Sequence, residues 1–299
     1  MSGTAPQPEH SSPTTETTQT GQPDHADHAD HADRPASRYD RGLALLGQVG
    51  GTDPTRALAG LADTAPDLAR LTIEFYADIY SRPGLTLPQR QIINIAALTA
   101  LGTAAPQLRF HIDGALNVGV GPTEIVEVIM HMSVYAGVPA TLNGLAVAKA
   151  AFADRTDLDW SPTASPIEEQ ESAEQRYNRG LDALQAIDGR AGDQVMASLA
   201  PISPDFARLL VGFAFADIYS RPGLDLKSRE LATVAACTAL GTAAAQLRVH
   251  LHGLLNVGGT REEPVEAIMQ MAGYAGFPAA LNGIAAAREV FAERAGAEG

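Results

Sequence analysis

At 299 residues the chain can bury substantial cores and has the length of about two domains. Its formal net charge of −14 and isoelectric point near 4.9 exclude a nucleic-acid-binding surface, which needs an excess of Lys and Arg. A single cysteine, Cys237 in the apolar run LATVAACTALG, excludes an intrachain disulfide and a cysteine-based metal cluster; it suits a reducing cytoplasm and reads as a buried, inert thiol.

The chain starts with MSGTAPQPEH, which has neither a basic segment nor an apolar one and is not read as a signal peptide. Residues 1–36 are Pro, Thr, Ser, Asp, His and Ala with almost no large apolar side chains. Burial there cannot offset ordering entropy, so disorder is expected. Within this tail DHADHADHAD sets His25, His28 and His31 at three-residue intervals, either a weak divalent-metal site or a solubilising repeat.

A first unit, residues 37–155, follows. PDLARLTIEFYADIY carries Leu68, Leu71, Phe75 and Ile79 at helical spacing and stops at SRPG. The next helix takes Thr86 as N-cap, with Pro88 just inside, and runs to Gly102, which suits the left-handed conformation. The uncharged length around it, Gln91 to Leu108, is interrupted by Gly, Thr and Pro and reads as a buried Ala-rich helix plus a turn, not a membrane span. Thr103 is the expected cap of a helix bearing His111, which closes at Asn117–Val118–Gly119. GPTE opens the next helix, which ends at YAG, and VPATLNG starts the last one.

Residues 156–173 are rich in Pro, Ser, Asp and Glu and suit an exposed linker. The unit then recurs over residues 174–299. Arg38 of RYDRGLALLG returns as Arg176 of RYNRGLDALQ, 138 positions on. LGTAAPQLRFHIDGALNVG, from Leu101, returns as LGTAAAQLRVHLHGLLNVG, from Leu240, 139 positions on; a one-residue difference enters before the repeated ADIYSRPGL. A period this long is a duplicated domain, not a solenoid unit. In the second copy Asp225 is the expected N-cap, Gly241 the helix stop, Thr242 the next cap, and TREE (Thr260, Glu263) a capping box. No segment alternates at period two, so the expected fold is all-α. His111 and His250, at equivalent points, are open to three readings from the residues alone: catalytic acid, metal ligand or core residue.

SRPGL, QLR-x-H, LNVG, E-x-I-M-[HQ]-M and YAG-x-P-A-x-LNG occur in this order in both units. Together they resemble the carboxymuconolactone decarboxylase family, which shares its fold with the alkyl hydroperoxidase D proteins. The resemblance covers Arg38 to about Phe152 and Arg176 to about Phe291. It implies two tandem alkyl hydroperoxidase D-like helical domains forming a covalent pseudo-dimer. It also implies a homo-oligomer, a trimer of this chain making a pseudo-hexameric ring; the cysteine usage, hydropathy and charge read above add a cytoplasmic setting with no membrane or nucleic-acid partner.

The hydroperoxidase-like members use a CxxC pair seven and four residues before the histidine. Those positions hold Ala104 and Gln107, and Ala243 and Gln246, so thiol peroxide chemistry is not expected. What remains resembles the decarboxylase branch, a carbon–carbon lyase without metal or organic cofactor acting on a carboxylated lactone or a related β-keto or enol acid. Decarboxylation leaves an enolate, so such a site needs donors aimed at the developing charge, an anchor for a second carboxylate and a positioned acid for the carbon.

His111 and His250 are the expected acids. Arg82, Arg90, Arg221 and Arg229 are candidate anchors; Arg90 and Arg229 fall in a helix's first turn, where the dipole disfavours a cation and an ion pair or substrate would supply the reason. Glu230 aligns with a proton-relay glutamate of the hydroperoxidase D relatives, whereas the first unit has Gln91. Conversely His131 matches a histidine of the single-unit decarboxylases and shares a helical face with Glu127 and Tyr135, where the second unit has Gln270 between Glu266 and Tyr274. The expectation is a first-unit site built on His111 and His131, the better equipped, with Glu127 and Tyr135 contacting substrate. The second-unit site would be built on His250 and Glu230 with Tyr274. His252, in place of Asp113, reads as drift, and its 200° offset from His250 on a helix prevents both from holding one ion; no metal site is expected. The alternatives are a tailoring isomerase, eliminase or cyclase using the same acid–base pocket, and a non-catalytic binding or scaffold protein.

Overall fold

A computed structural model describes residues 36–51, 55–162 and 171–297, all helices, turns and connecting segments. The tail with His25, His28 and His31, and the centre of the join, lie outside the described residues. The first repeat contains α1 (Arg38–Gly50), a short tight turn of helix at Arg56–Leu61, α2 (Pro66–Tyr80), α3 (Leu87–Leu101), α4 (Ala105–Asn117), α5 (Pro122–His131) and α6 (Val138–Ala153). The second contains α7 (Ala173–Asp188), α8 (Arg190–Leu199), α9 (Pro204–Leu210) with a wider continuation over Val211–Tyr219, α10 (Leu226–Leu240), α11 (Ala244–Asn256), α12 (Glu262–Gln270), α13 (Ala272–Ala275) and α14 (Phe277–Ala297).

Local chemistry places most of these ends. Thr86 accepts from Gln89 N at 3.4 Å while the Gln89 side chain reaches back to Thr86 N at 2.9 Å, a reciprocal box that starts α3. Asp225 does the equivalent work for α10, accepting from Ser228 N at 3.0 Å. Gly102 and Gly241 end the two helices at φ 69° and 68°, where a Cβ would be strained. The TREE box forms through Glu263 Oε2, 2.7 Å from Thr260 N. The caps expected at Thr103 and Thr242 do not: α4 and α11 start one residue later, behind Ala104 and Ala243, with no side-chain cap.

The one-residue offset between repeats has a physical form. Ser81 N bonds Ala77 O, four residues back, whereas Ser220 N bonds Phe215 O, five back at 3.0 Å. The extra residue of the second repeat is absorbed as a π-helical widening over Val211–Tyr219, a feature frequent beside functional sites. The apolar stripe read on α2 is only half core: Ile73, Ala77, Ile79 and Tyr80 are buried, but Leu68 and Leu71 are exposed.

The two repeats interlock rather than sit side by side. Every side chain from Arg90 to Ala100 and from Arg229 to Ala239 is buried, and α3 packs against α10 at the centre. Their alanines allow that approach, and helices buried all round belong inside a core. Leu224, Ala232 and Ala236 join the core formed by α3 to α6, while Leu85, Ile93 and Ala97 join that of α10 to α14. The described residues form one compact unit.

Candidate active site

The interlock builds two related polar sites, each drawing side chains from both repeats. Arg229 Nη2 donates to Glu127 Oε2 at 2.9 Å, and Arg221 Nη2 donates to Glu127 Oε1 at 2.8 Å. In the mirror position Arg90 Nη2 donates to Glu266 Oε2 at 3.1 Å and Arg82 Nε to Glu266 Oε1 at 2.7 Å. The glycine of SRPGL makes room: a Cβ on Gly84 would stand 2.5 Å from Glu266 Cγ. The dipole argument therefore holds for Arg90 and Arg229, but their partner is a glutamate of the other repeat. All four candidate anchor arginines are engaged in these pairs, with Glu127 the counter-charge of Arg221 and Arg229 and Glu266 that of Arg82 and Arg90.

Tyr135, at the end of α5's chain segment, reaches into the second repeat. Its hydroxyl lies 3.1 Å from His250 Nε2 and 2.6 Å from the Tyr219 hydroxyl. Tyr219 donates to Glu230 Oε1 at 2.6 Å, and His250 Nδ1 is 3.0 Å from Glu230 Oε2, which closes a ring of four side chains. Gly253 leaves room for that carboxylate, since a Cβ there would stand 2.6 Å from Glu230 Oε2. Proton counting fixes the ring's polarity. Tyr219 uses its one hydrogen on Glu230, so it accepts from Tyr135, and Tyr135 in turn accepts from His250 Nε2–H. His250 then donates from both nitrogens and is an imidazolium beside a carboxylate. Burial pushes its pKa down, but the charge and hydrogen bond of Glu230, with Asp188 adding, outweigh burial and raise it. Burial, then Glu230, raises Tyr135 and Tyr219 well above the usual phenol range, so both stay protonated.

His131 sits against this ring, not beside His111. Its Nε2 is 2.8 Å from Thr233 Oγ1, and its ring packs edge-on against Tyr219 at 4.7 Å between centroids. Thr233 donates its hydrogen to Arg229 O at 2.9 Å, so His131 Nε2 carries the proton toward Thr233 and the ring is neutral. Burial, and then the charges of Arg229 and His250, hold its pKa well below the ordinary value. The expected first-unit pairing of His111 with His131 is thus corrected: α5 crosses to the other repeat's site.

The mirror of the ring has no carboxylate. His111 Nδ1 is 2.8 Å from Gln91 Oε1, and Nε2 is 3.0 Å from the hydroxyl of Tyr274, contributed by the second repeat. Tyr274 also meets Tyr80 at 3.0 Å, and Asn94 stands where the other site has Thr233. Gln270, the counterpart of His131, bridges Arg90 and Asn94. With Gln91 in place of a carboxylate nothing opposes burial, which drives the His111 imidazole down to about 3. The expectation that the first unit is better equipped is reversed, because His131, Glu230 and His250 all gather at one site.

That site opens on a cavity of about 500 Å³, within the range of about 300–1,000 Å³ typical of small-molecule pockets. His250, Tyr135, Tyr219, Gln246, Asp188 and Ser198 supply its polar side chains; Leu184, Met196, Leu199, Phe206 and Phe215 supply apolar wall. His131 does not line it. Gln246 occupies the position of the second cysteine in a CxxC, while Cys237 is buried in α10 with its thiol pushed up to about 12 by burial and Glu230. Asp188 and Tyr219 were missed from the sequence. Aligning the repeats could have flagged Asp188, since its equivalent is Gly50; Tyr219 lay within the repeated ADIYSRPGL.

The carboxymuconolactone decarboxylase family model matches residues 66–150 and 204–289. The chain is 36% identical over 119 residues, 40% of its length and 88% of the relative's, to 4-carboxymuconolactone decarboxylase of Acinetobacter baylyi. It is 33% identical over 103 residues, 34% of its length and 75% of the relative's, to an uncharacterised 15.0 kDa protein of Paracoccus denitrificans. It is also 30% identical over 95 residues, 31% of its length and 65% of the relative's, to nitrosuccinic acid decarboxylase of Metarhizium robertsii.

Proposed function

Because the chain belongs to the carboxymuconolactone decarboxylase family, we propose that its His250 site, and not its His111 site, decarboxylates a carboxylated lactone or a related β-keto or enol acid. The observation that carries this reading is the closed ring His250–Glu230–Tyr219–Tyr135 on the wall of the cavity. Two of the relatives are named as decarboxylases, which supports the reaction class.

In this reading the bond from substrate carbon to carboxylate breaks, carbon dioxide leaves, and the electron pair enters an enolate. The imidazolium of His250 stabilises that charge inside a low-dielectric wall, where it acts more strongly than in water. Its Nε2 proton then passes to the enolate carbon, and solvent restores the proton to the ring. Glu230 holds Nδ1–H and keeps the imidazole basic enough to recharge. Tyr135, which accepts from Nε2, redirects its own hydrogen from Tyr219 to the enolate oxygen once His250 turns to substrate. His111, neutral and without a carboxylate, has a structural role here.

The test is decarboxylation of β-keto acids with a single carboxylate, and of carboxymuconolactone, a dicarboxylate expected to be the poorer substrate, followed by loss of ultraviolet absorbance and by release of carbon dioxide. His250→Ala is expected to abolish turnover and His111→Ala to retain it; the opposite pattern refutes the assignment. We further propose that the chain assembles as a trimer, on the exposed apolar pairs argued below.

A further inference from the structure

Asp188 has no role in the chemistry above, yet it lies in the same cavity as His250. It is the last residue of α7, at the negative end of that helix dipole, where a carboxylate is disfavoured. It is 8% exposed, and its Oδ1 has no hydrogen-bond partner. Among the described residues lining the cavity there is no Lys or Arg, and His250 is the one cation. The fold does not need it. α1 ends in the same way at Gly50–Gly51, and Asn117 braces Val49 O at 2.8 Å just as Asn256 braces Ile187 O at 2.8 Å. A buried acceptor that helix ending does not require, aimed into a ligand-sized space, lacks only a donor.

We propose that Asp188 determines specificity by accepting a hydrogen bond from a hydroxyl group on the substrate, so that the cavity takes a bulky, mostly apolar acid with one carboxylate and one hydroxyl. The inference takes its location from the reading of the His250 site and adds the ligand's chemistry. The single carboxylate meets His250, the one cation among the described lining residues. A second carboxylate placed at Asp188 would meet a like charge, with no Lys or Arg among those residues to offset it. The walls of Leu184, Met196, Leu199, Phe206 and Phe215 match the apolar body, and the π-helical widening that carries Phe215 shapes one side of it. Burial, opposed by His250 and reinforced by Glu230, raises Asp188 to about 6, so at neutral pH it is ionised and is the stronger acceptor.

The experiment measures equilibrium binding to the full chain at neutral pH, by calorimetry, of three probes of one shape: para-coumarate, para-methoxycinnamate and para-carboxycinnamate. The hydroxyl probe is expected to bind at least about tenfold tighter than its methyl ether, the discrimination of one hydrogen bond to a charged group. The dicarboxylate is expected to bind weakest. Asp188→Ala should erase the hydroxyl preference while leaving affinity for the methyl ether within about twofold. Asp188→Asn, near-isosteric and still an acceptor, should keep part of the preference and admit the dicarboxylate. Equal binding of hydroxyl and methoxy probes, a preference that survives in Asp188→Ala, dicarboxylate binding as tight as the monoacid's, or no binding by any probe overturns the proposal. Binding needs no turnover, so failure of the decarboxylase reading shows separately in the assay of His250.

Discussion

The hydroxyl of Tyr135 lies 3.1 Å from Nε2 of His250, and the two residues are brought together from different repeats. Neither repeat alone holds the proton network, so duplication within one chain makes the site instead of merely copying it. Its mirror contact, Tyr274 to His111 at 3.0 Å, has the same geometry without the carboxylate. The pair of sites is an internal control for every substitution.

Tyr135→Phe keeps the ring packed but removes the hydroxyl that accepts from His250 and donates to Tyr219. Loss of one such proton-handling contact lowers kcat by about 10²–10⁴-fold. Tyr274→Phe, at the neutral site, leaves kcat near that of the unaltered chain. Equal effects of the two substitutions on turnover would refute the asymmetry.

Glu230→Gln converts the charged site into the chemistry of its mirror. Without the carboxylate, burial is opposed on His250 only by Asp188, and its pKa drops, in the direction that His111 already shows beside Gln91. Gln91→Glu should move His111 up in the same way. Proton NMR titration of the two imidazoles reads both shifts directly. In the unaltered chain the raised pKa of His250 contributes stability that is fully present below about pH 6.5. That contribution fades as pH rises through the folded-state pKa, because the folded state then holds its proton longer than the unfolded chain.

His111 has the opposite sign. Its imidazole titrates near 6.5 when unfolded and at about 3 in the fold. Between those values the unfolded chain binds a proton that the folded chain refuses, so stability is full above about pH 6.5 and falls as pH drops. The span corresponds to on the order of 5 kcal/mol at its full extent. His111→Gln, which keeps a hydrogen-bonding side chain without the titration, should flatten the loss of Tm between neutral pH and about pH 4. A Tm profile parallel to that of the unaltered chain would show that His111 is not the group responsible.

Much of the fold was legible because helix signals are local. Thr86, Asp225, Gly102 and Gly241 act within one turn of themselves, and the structure places them as caps and stops. The site was legible only in its parts. His250 with Glu230 could be read because both belong to one repeat, but the transfer of His131, Tyr135 and Glu127 to that site depends on α3 packing against α10, a contact with no local signal. Arg90 and Arg229 show the same division. Their unfavourable first-turn positions announced a charged partner, and only tertiary packing identified it as Glu266 and Glu127.

Those ion pairs set up a stability prediction. Arg229 is fully buried, and burial already pulls its pKa below the ordinary value against the opposing charge of Glu127. Glu127→Ala leaves it without that charge, a loss of about 3–5 kcal/mol, the cost of orphaning a buried ion. Glu266→Ala strands Arg90 likewise. Thermal or urea unfolding of the single variants and of Glu127→Ala with Arg229→Met measures this. The double variant is expected to recover part of the loss, and a double variant no more stable than Glu127→Ala would argue against an ion-pair origin.

The proposed trimer is argued from exposed apolar side chains that recur at equivalent positions of the repeats. Val138 and Leu142 on α6 match Phe277 and Leu281 on α14, and Leu68 and Leu71 match Phe206 and Leu209; each of the eight is more than half exposed. Val138 and Leu142, and their counterparts, are one helical turn apart and share a face, so each forms a contiguous patch. Solvent exposure of paired large apolar groups marks an interaction surface. Two equivalent patches per chain suit a closed ring, in which no patch is left free to extend a filament. Fully burying one leucine contributes about 1.5–3 kcal/mol, so a charge at both Leu142 and Leu281 opposes association at every contact around the ring. Light scattering on the unaltered chain should return the mass of a trimer, and Leu142→Glu with Leu281→Glu a smaller species with an unchanged circular dichroism spectrum. A stable monomer from the unaltered chain would dispose of the trimer, and an intact trimer in the double variant would move the interface to the Leu68 and Phe206 surfaces.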